Sequence, residues 1–156
     1  MCQVKRSPTV TAEHVNIFFY GLFMDMGMLQ QRGLTPHNPQ VARLDGYDLD
    51  IRERATLIRK AGARAYGIVT ALTHEDISTR YADPRVRESR PEAVVVTLAD
   101  ARQVPAWCDT LPQVTGASRN PVYARRLVEV AKTHAFPKDY LERLQSLAQE
   151  EPVSYS

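Results

Sequence analysis

Five basic residues lie close together in the middle of the chain and could attract an anion. They are Arg52, Arg54, Arg59, Lys60 and Arg64. On an extended hairpin, alternate residues share a face, so Arg52 and Arg54 can point together toward a carboxylate. A nucleic-acid surface would also need interleaved aromatic residues or a recognition helix, and the sequence shows neither. We therefore predict no nucleic-acid partner, and the cluster is either a guide for a small carboxylate or a solvated hairpin face.

The other reactive side chains do not form a metal site or a disulfide framework. The four histidines are widely spaced and lack the two-ligand spacing of a helical metal site. Of the two cysteines, Cys108 follows Trp107 in an apolar stretch, which favours packing over nucleophilic chemistry because no neighbouring residue activates the thiol. Thr56 can present a hydroxyl to a cavity or simply pack in a strand. We predict no metal and no cofactor.

The elements that position these residues indicate an α+β protein with a mostly antiparallel sheet. Two buried strands are predicted at Val15–Tyr20, where Gly21 ends the strand in a tight loop, and at Ala93–Leu98. Between them, Asp45-Gly46 and Ala61-Gly62 predict the hairpin turns of an antiparallel meander. Helix starts are predicted where Asp25, Thr73 and Asn120 can cap and where Phe136-Pro137 occurs. The sheet is expected to curl toward a small barrel flanked by helices.

Composition places the chain among ordinary globular proteins. Its 156 residues are 44% hydrophobic and 24% charged, with a formal net charge of +2. We predict one domain over residues 14–150, a flexible leader over residues 1–13 and a tail over residues 151–156. The longest apolar run, Ile17–Met24, is far shorter than the about 20 residues that span a bilayer. These features predict a cytoplasmic protein without a membrane partner, and they leave the oligomeric state open.

Four motifs, in this order, resemble the gamma-glutamylcyclotransferase-like family, which includes the AIG2-like proteins. The resemblance covers residues 16–147. The motifs are Phe18–Asp25 (Phe-Phe-Tyr-Gly-Leu-Phe-Met-Asp), Ala42–Asp50 (Ala-Arg-Leu-Asp-Gly-Tyr-Asp-Leu-Asp), Tyr66–Thr73 (Tyr-Gly-Ile-Val-Thr-Ala-Leu-Thr), and the helix pair that begins at Asn120–Tyr123 and Phe136–Tyr140.

The resemblance implies an intramolecular reaction without a cofactor. The α-amine of a γ-glutamyl group attacks its own side-chain carbonyl and releases 5-oxoproline together with a free amine or amino acid. Such a site must hold an α-carboxylate, accept a proton and stabilise an oxyanion. The resemblance assigns substrate binding to the loop Tyr20, Gly21, Leu22 and Phe23, because a glycine lets backbone N–H groups approach a ligand.

Two positions depart from the family pattern. Leu22 stands where the family has a small hydroxyl residue, so only backbone donors remain there and a more apolar acyl substrate is an alternative. The family's base is a glutamate in an Asp-x-x-Glu-Gly pattern, and here that position is Val86. Glu88 is the predicted catalytic replacement, and Glu92 and Arg54 are predicted to contact the substrate. The alternative is a catalytically impaired protein that binds a small carboxylated ligand.

Overall fold

The computed structural model describes residues 14–51, 54–81, 90–110 and 120–149. The predicted leader and tail, together with Arg52, Val86 and Glu88, lie outside the described residues, so those predictions remain as they stand. Within the described ranges the structure is α+β, as predicted.

Five strands of the described residues close into a barrel. They are β1 His14–Phe19, β2 His37–Ile51, β3 Ala55–Thr73, β4 Arg90–Leu98 and β5 Gln103–Thr110. Their spatial order is β1-β3-β2-β4-β5, and all neighbours in that order pair antiparallel. A parallel contact between β1 and β5, at Ile17 and Trp107, closes the barrel. Closure covers strand edges that an open sheet would expose.

The long β2–β3 hairpin corrects the predicted turns. Ile51 pairs with Ala55, so the chain reverses there and not at either glycine pair. Asp45-Gly46 and Ala61-Gly62 instead lie at an irregularity in the register, between the pairs Asp45–Arg64 and Tyr47–Arg59. Gly46 and Gly62 have φ angles of +85° and +82°, which glycine adopts without steric cost. The turn-like composition therefore marks a bulge that bends one long hairpin.

The helices begin at the predicted caps. A 3₁₀ helix at Leu22–Met24 leads into α1 (Met26–Gln31), and α2 (His74–Tyr81) follows β3. The chain ends in α3 (Pro121–Lys132) and α4 (Lys138–Gln149), which pack against each other. The side chains of Asp25, Thr73 and Asn120 accept backbone N–H groups at the starts of α1, α2 and α3. None of the described helices has the length and apolar character needed to cross a bilayer.

Candidate functional site

The turn after β1 lies at one end of the barrel and is tied to β5. β1 carries the chain to Tyr20, whose buried hydroxyl donates a 2.6 Å hydrogen bond to the carbonyl oxygen of Asp109. Thr56, at the start of β3, also hydrogen-bonds the Tyr20 side chain. Burial is the main reason that the Tyr20 pKa is well above its ordinary value. The Tyr20 hydroxyl is thus a protonated anchor between three strands, and this anchoring fixes where Gly21 and Leu22 lie.

Gly21 faces the hydroxyl of Tyr123, a residue in the first turn of α3. A Cβ atom on Gly21 would lie 2.9 Å from the Tyr123 hydroxyl oxygen, so a side chain at Gly21 would disturb this contact. Gly21 precedes the 3₁₀ helix and provides no side-chain cap, whereas the backbone of Leu22 hydrogen-bonds the Tyr123 hydroxyl. The first amides of a helix lack partners within the helix. The Tyr123 hydroxyl therefore occupies the position where the turn presents a backbone donor.

The start of β3 completes the surroundings of the Tyr123 hydroxyl. Burial raises the Tyr123 pKa, and it outweighs the lowering effects of backbone hydrogen bonds from Ala55 and Leu22 and of the positive charge on Arg54. The hydroxyl therefore remains protonated at neutral pH and can donate to an anion. Arg54, a predicted substrate residue, is placed near this hydroxyl. Sequence analysis missed Tyr123, although Asn120-Pro121 signalled that it stands in a capped first turn.

A buried ion pair lies next to the turn at Gly21, and sequence analysis missed it. Arg80, at the end of α2, pairs with Asp109 on β5, and the side chains are only 8% and 9% exposed. The Arg80 guanidinium also lies 5.2 Å and 5.4 Å from the ring centroids of Phe19 and Phe23. These two aromatic residues flank the Tyr20–Leu22 segment. The predicted binding residue Phe23 therefore packs against Arg80, while Leu22 is partly buried against the core.

Glu92, the other predicted substrate residue, lies at the same end of the barrel. It is near the start of β4 and is directly paired with Cys108 on β5. One carboxylate oxygen accepts a 3.2 Å hydrogen bond from Thr110, and the other lies 3.4 Å from Arg59. Burial strongly raises the pKa of the Cys108 thiol, which disfavours the reactive thiolate. The packing interpretation of Cys108 is therefore the better one.

Three members of the basic cluster form ion pairs within the described part of the chain. Arg59, Lys60 and Arg64 each form an ion pair with an acidic side chain on β2 or β4. The three basic side chains are 61–78% exposed, which suits a solvated hairpin face. Among the described residues, no group of three or more His, Cys, Asp or Glu side chains is arranged to hold a metal ion.

A separate hollow of about 200 Å³ opens at the opposite end of the barrel. Polar residues such as Asn16, Gln40 and Arg102 line it. These residues belong to the start of β1, the start of β2 and the segment before β5, whereas Tyr20 and Glu92 are at the other strand ends. The hollow therefore does not contribute to the site around Gly21.

A small closed barrel with two packed C-terminal helices defines the fold class, and solved structures share it. One is described as a gamma-glutamyl cyclotransferase, with a TM-score of 0.76, 19% identity and 92% coverage of both chains. YkqA from Bacillus subtilis has a TM-score of 0.75 and 20% identity; the match covers 94% of this chain but 58% of that protein. A yeast gamma-glutamyl cyclotransferase specific to glutathione has a TM-score of 0.64, 12% identity and coverages of 87% and 96%.

These likenesses confirm the resemblance at the level of fold. The chain has the gamma-glutamyl cyclotransferase-like fold, with the barrel and flanking helices that the motifs predicted. No protein-family model matches the chain, and no curated protein sequence matches it significantly. Identities of 12–20% show the fold and leave the reaction to be argued from the site.

Proposed function

We propose that this protein cyclises a γ-glutamyl compound and releases 5-oxoproline together with an amine or amino acid. One observation carries the proposal: the turn at Gly21 presents the Leu22 backbone to the protonated hydroxyl of Tyr123, at the end of a barrel whose fold is shared with gamma-glutamyl cyclotransferases. This pairing places two donors side by side, which suits the binding of a small anion that displaces their mutual contact.

The substrate's anionic groups match the donors near Gly21. The Leu22 amide and the Tyr123 hydroxyl can both donate to an oxygen that replaces their mutual contact, and the positive charge of Arg54 is close enough to influence that hydroxyl. A γ-glutamyl group presents an α-carboxylate and later an oxyanion at the attacked carbonyl. Donors that are already in place stabilise such an oxyanion without reorganisation. Tyr20 and Asp109 position this turn and do not contact the substrate in the proposal.

The reaction needs one proton acceptor and no cofactor. The α-ammonium first loses a proton to a carboxylate, and the resulting amine forms a bond to the γ-carbonyl carbon. The carbonyl electron pair moves to oxygen and gives the oxyanion. When this intermediate collapses, the proton from the carboxylate passes to the leaving nitrogen as its bond to carbon breaks. The carboxylate then removes the second proton of the ring nitrogen and passes it to the released amine, which leaves as an ammonium ion. Glu88 is the base predicted from the sequence, and Glu92 is a second carboxylate beside the same loop.

The test is the release of 5-oxoproline from a panel of γ-glutamyl amines and γ-glutamyl amino acids, followed by mass spectrometry. Tyr123→Phe should lower kcat/KM about 10- to 150-fold, which corresponds to a lost hydrogen bond to a charged group of about 1.5–3 kcal/mol. Tyr66→Phe is the matched control, because the Tyr66 ring packs against Phe136 and Tyr140. Absence of 5-oxoproline across the panel, with correctly folded protein, would refute the proposal.

A second candidate function is a non-catalytic binding protein for a small carboxylated ligand. Val86, at the position where the resemblance places the base, favours it. In that case γ-glutamyl compounds bind without turnover in isothermal titration calorimetry, and Tyr123→Phe weakens that binding. Val86→Glu then creates turnover if only the base is missing. Turnover by the wild-type protein would exclude this alternative.

A further inference from the structure

Glu92 points into the barrel. Along β4, Val94, Val96 and Leu98 are buried, whereas Ala93 and Val95 are exposed. Successive strand side chains point to opposite faces, so Glu92 shares the face of the buried valines. It is partly buried, in contrast to the exposed Arg90 and Pro91 before it. A carboxylate on the inner face of a barrel wall costs free energy unless it is hydrogen-bonded, so this placement calls for an explanation.

The neighbours of Glu92 place it at the end of the barrel that holds the Gly21 turn. Its cross-strand partner is Cys108, and directly paired strand residues have Cβ atoms about 4.5–5.5 Å apart. The next residue, Asp109, holds the Tyr20 hydroxyl through its carbonyl oxygen. Negative charge on Glu92 contributes to the raised pKa of the Cys108 thiol, as expected for close neighbours. Cys108, the strand partner of Glu92, is therefore adjacent in the chain to Asp109, which anchors the turn at Gly21 through Tyr20.

The Glu92 carboxylate is held in place and still reachable. Thr110 donates to one oxygen and Arg59 lies beside the other, while the Tyr47 side chain is also within hydrogen-bonding reach. Its side chain is 35% exposed. The Asp109 carboxylate, by contrast, is enclosed in the ion pair with Arg80. A carboxylate can accept several hydrogen bonds, so Glu92 retains acceptor capacity for a ligand in the mouth of the barrel.

We propose that Glu92 is the general base of this site, a role beyond the substrate contact predicted from the sequence. This inference rests on the function proposed above. The Glu92 carboxylate accepts the first proton of the α-ammonium and returns it to the leaving amine when the bond to the γ-carbonyl carbon breaks. It then transfers the second proton of the ring nitrogen to the same amine, which leaves as an ammonium ion. The base thereby comes from the strand β4 itself, four residues after Glu88. Thr110 and Arg59 hold the carboxylate at the mouth of the barrel.

The test compares the purified full chain with four glutamate variants on the best γ-glutamyl substrate. Glu92→Gln should lower kcat about 10²- to 10⁴-fold, the usual contribution of a positioned general base. Its KM should change by less than about threefold. Glu92→Asp should retain part of the activity because it keeps the carboxylate. Glu129→Gln, an exposed substitution on α3, should retain at least half of wild-type kcat, and Glu88→Gln should lower kcat less than Glu92→Gln does.

The outcomes separate the two proposals. If wild-type protein releases no 5-oxoproline, the proposed reaction fails, and Glu92 has no base role. If the wild type turns over but Glu92→Gln retains kcat within about tenfold, or only its KM rises, the base assignment alone is refuted. A larger loss in Glu88→Gln than in Glu92→Gln refutes it as well. Thermal melts of each variant exclude unfolding as the cause of a loss.

Discussion

Removal of the Asp109 charge should strongly destabilise the fold, because the Arg80–Asp109 pair is buried. Asp109→Asn leaves the Arg80 guanidinium at a site where its side chain is only 8% exposed. Loss of one partner of a buried ion pair costs about 3–5 kcal/mol of the free energy of unfolding, against a total of about 5–15 kcal/mol for a typical protein. For a chain of this size, that loss lowers Tm by roughly 6–20 °C.

The assay is urea denaturation followed by far-UV circular dichroism, with Asp45→Asn as the matched control. Asp45 also pairs with an arginine, Arg43, at 2.8 Å, but its side chain is 54% exposed. Exposed pairs contribute about 0–1 kcal/mol, so the control should change little. The double variant Arg80→Met/Asp109→Leu should recover most of the lost stability, since no charge stays buried and the methionine can still pack against Phe19 and Phe23.

Two results would refute this reasoning. If Asp109→Asn and the control Asp45→Asn lose the same free energy of unfolding, the Arg80–Asp109 pair contributes no more to stability than an exposed ion pair. If the double variant loses as much as the two single substitutions Arg80→Met and Asp109→Leu added together, the two charges are not coupled. Either outcome would also remove the support that the pair gives to the turn at Gly21.

Three further predictions concern the same end of the barrel. Gly21→Ala should lower the free energy of unfolding by about 1–3 kcal/mol, because its Cβ atom would crowd the Tyr123 hydroxyl at 2.9 Å. Adding Tyr123→Phe should restore part of this stability in thermal melts. A double variant no more stable than Gly21→Ala would contradict the contact. Asp25→Ala should cost about 0.5–2 kcal/mol of stability through the lost cap of α1, whereas Asp25→Asn, which keeps a capping oxygen, should cost less in the same melts. Finally, stability should fall as pH rises above about 8.5, because the unfolded state releases the Cys108 proton there while the folded state, with its raised thiol pKa, retains it. Cys108→Ala should flatten this slope between about pH 8.5 and 10 in urea titrations, and an unchanged slope would contradict it.

Local sequence patterns were sufficient for the element types and the fold class. Branched and aromatic residues before Gly21, the valine run of β4 and the capping residues Asp25 and Asn120 each act over a few neighbouring positions, so their consequences can be read without knowing the fold. The glycines at positions 46 and 62 were misassigned to turns because a positive φ is needed equally in a hairpin turn and in a bulge. Only the pairing partner distinguishes the two.

The sequence by itself determined that this chain builds a mostly antiparallel α+β fold with a glycine turn after its first buried strand. Tertiary structure alone decided what surrounds that turn: Tyr123 approaches Gly21 from about 100 residues further along the chain, and the Arg80–Asp109 pair joins α2 to β5. Such contacts depend on how the barrel closes, and no local propensity encodes closure. The same closure turns Glu92 toward Cys108 and makes it a candidate for chemistry.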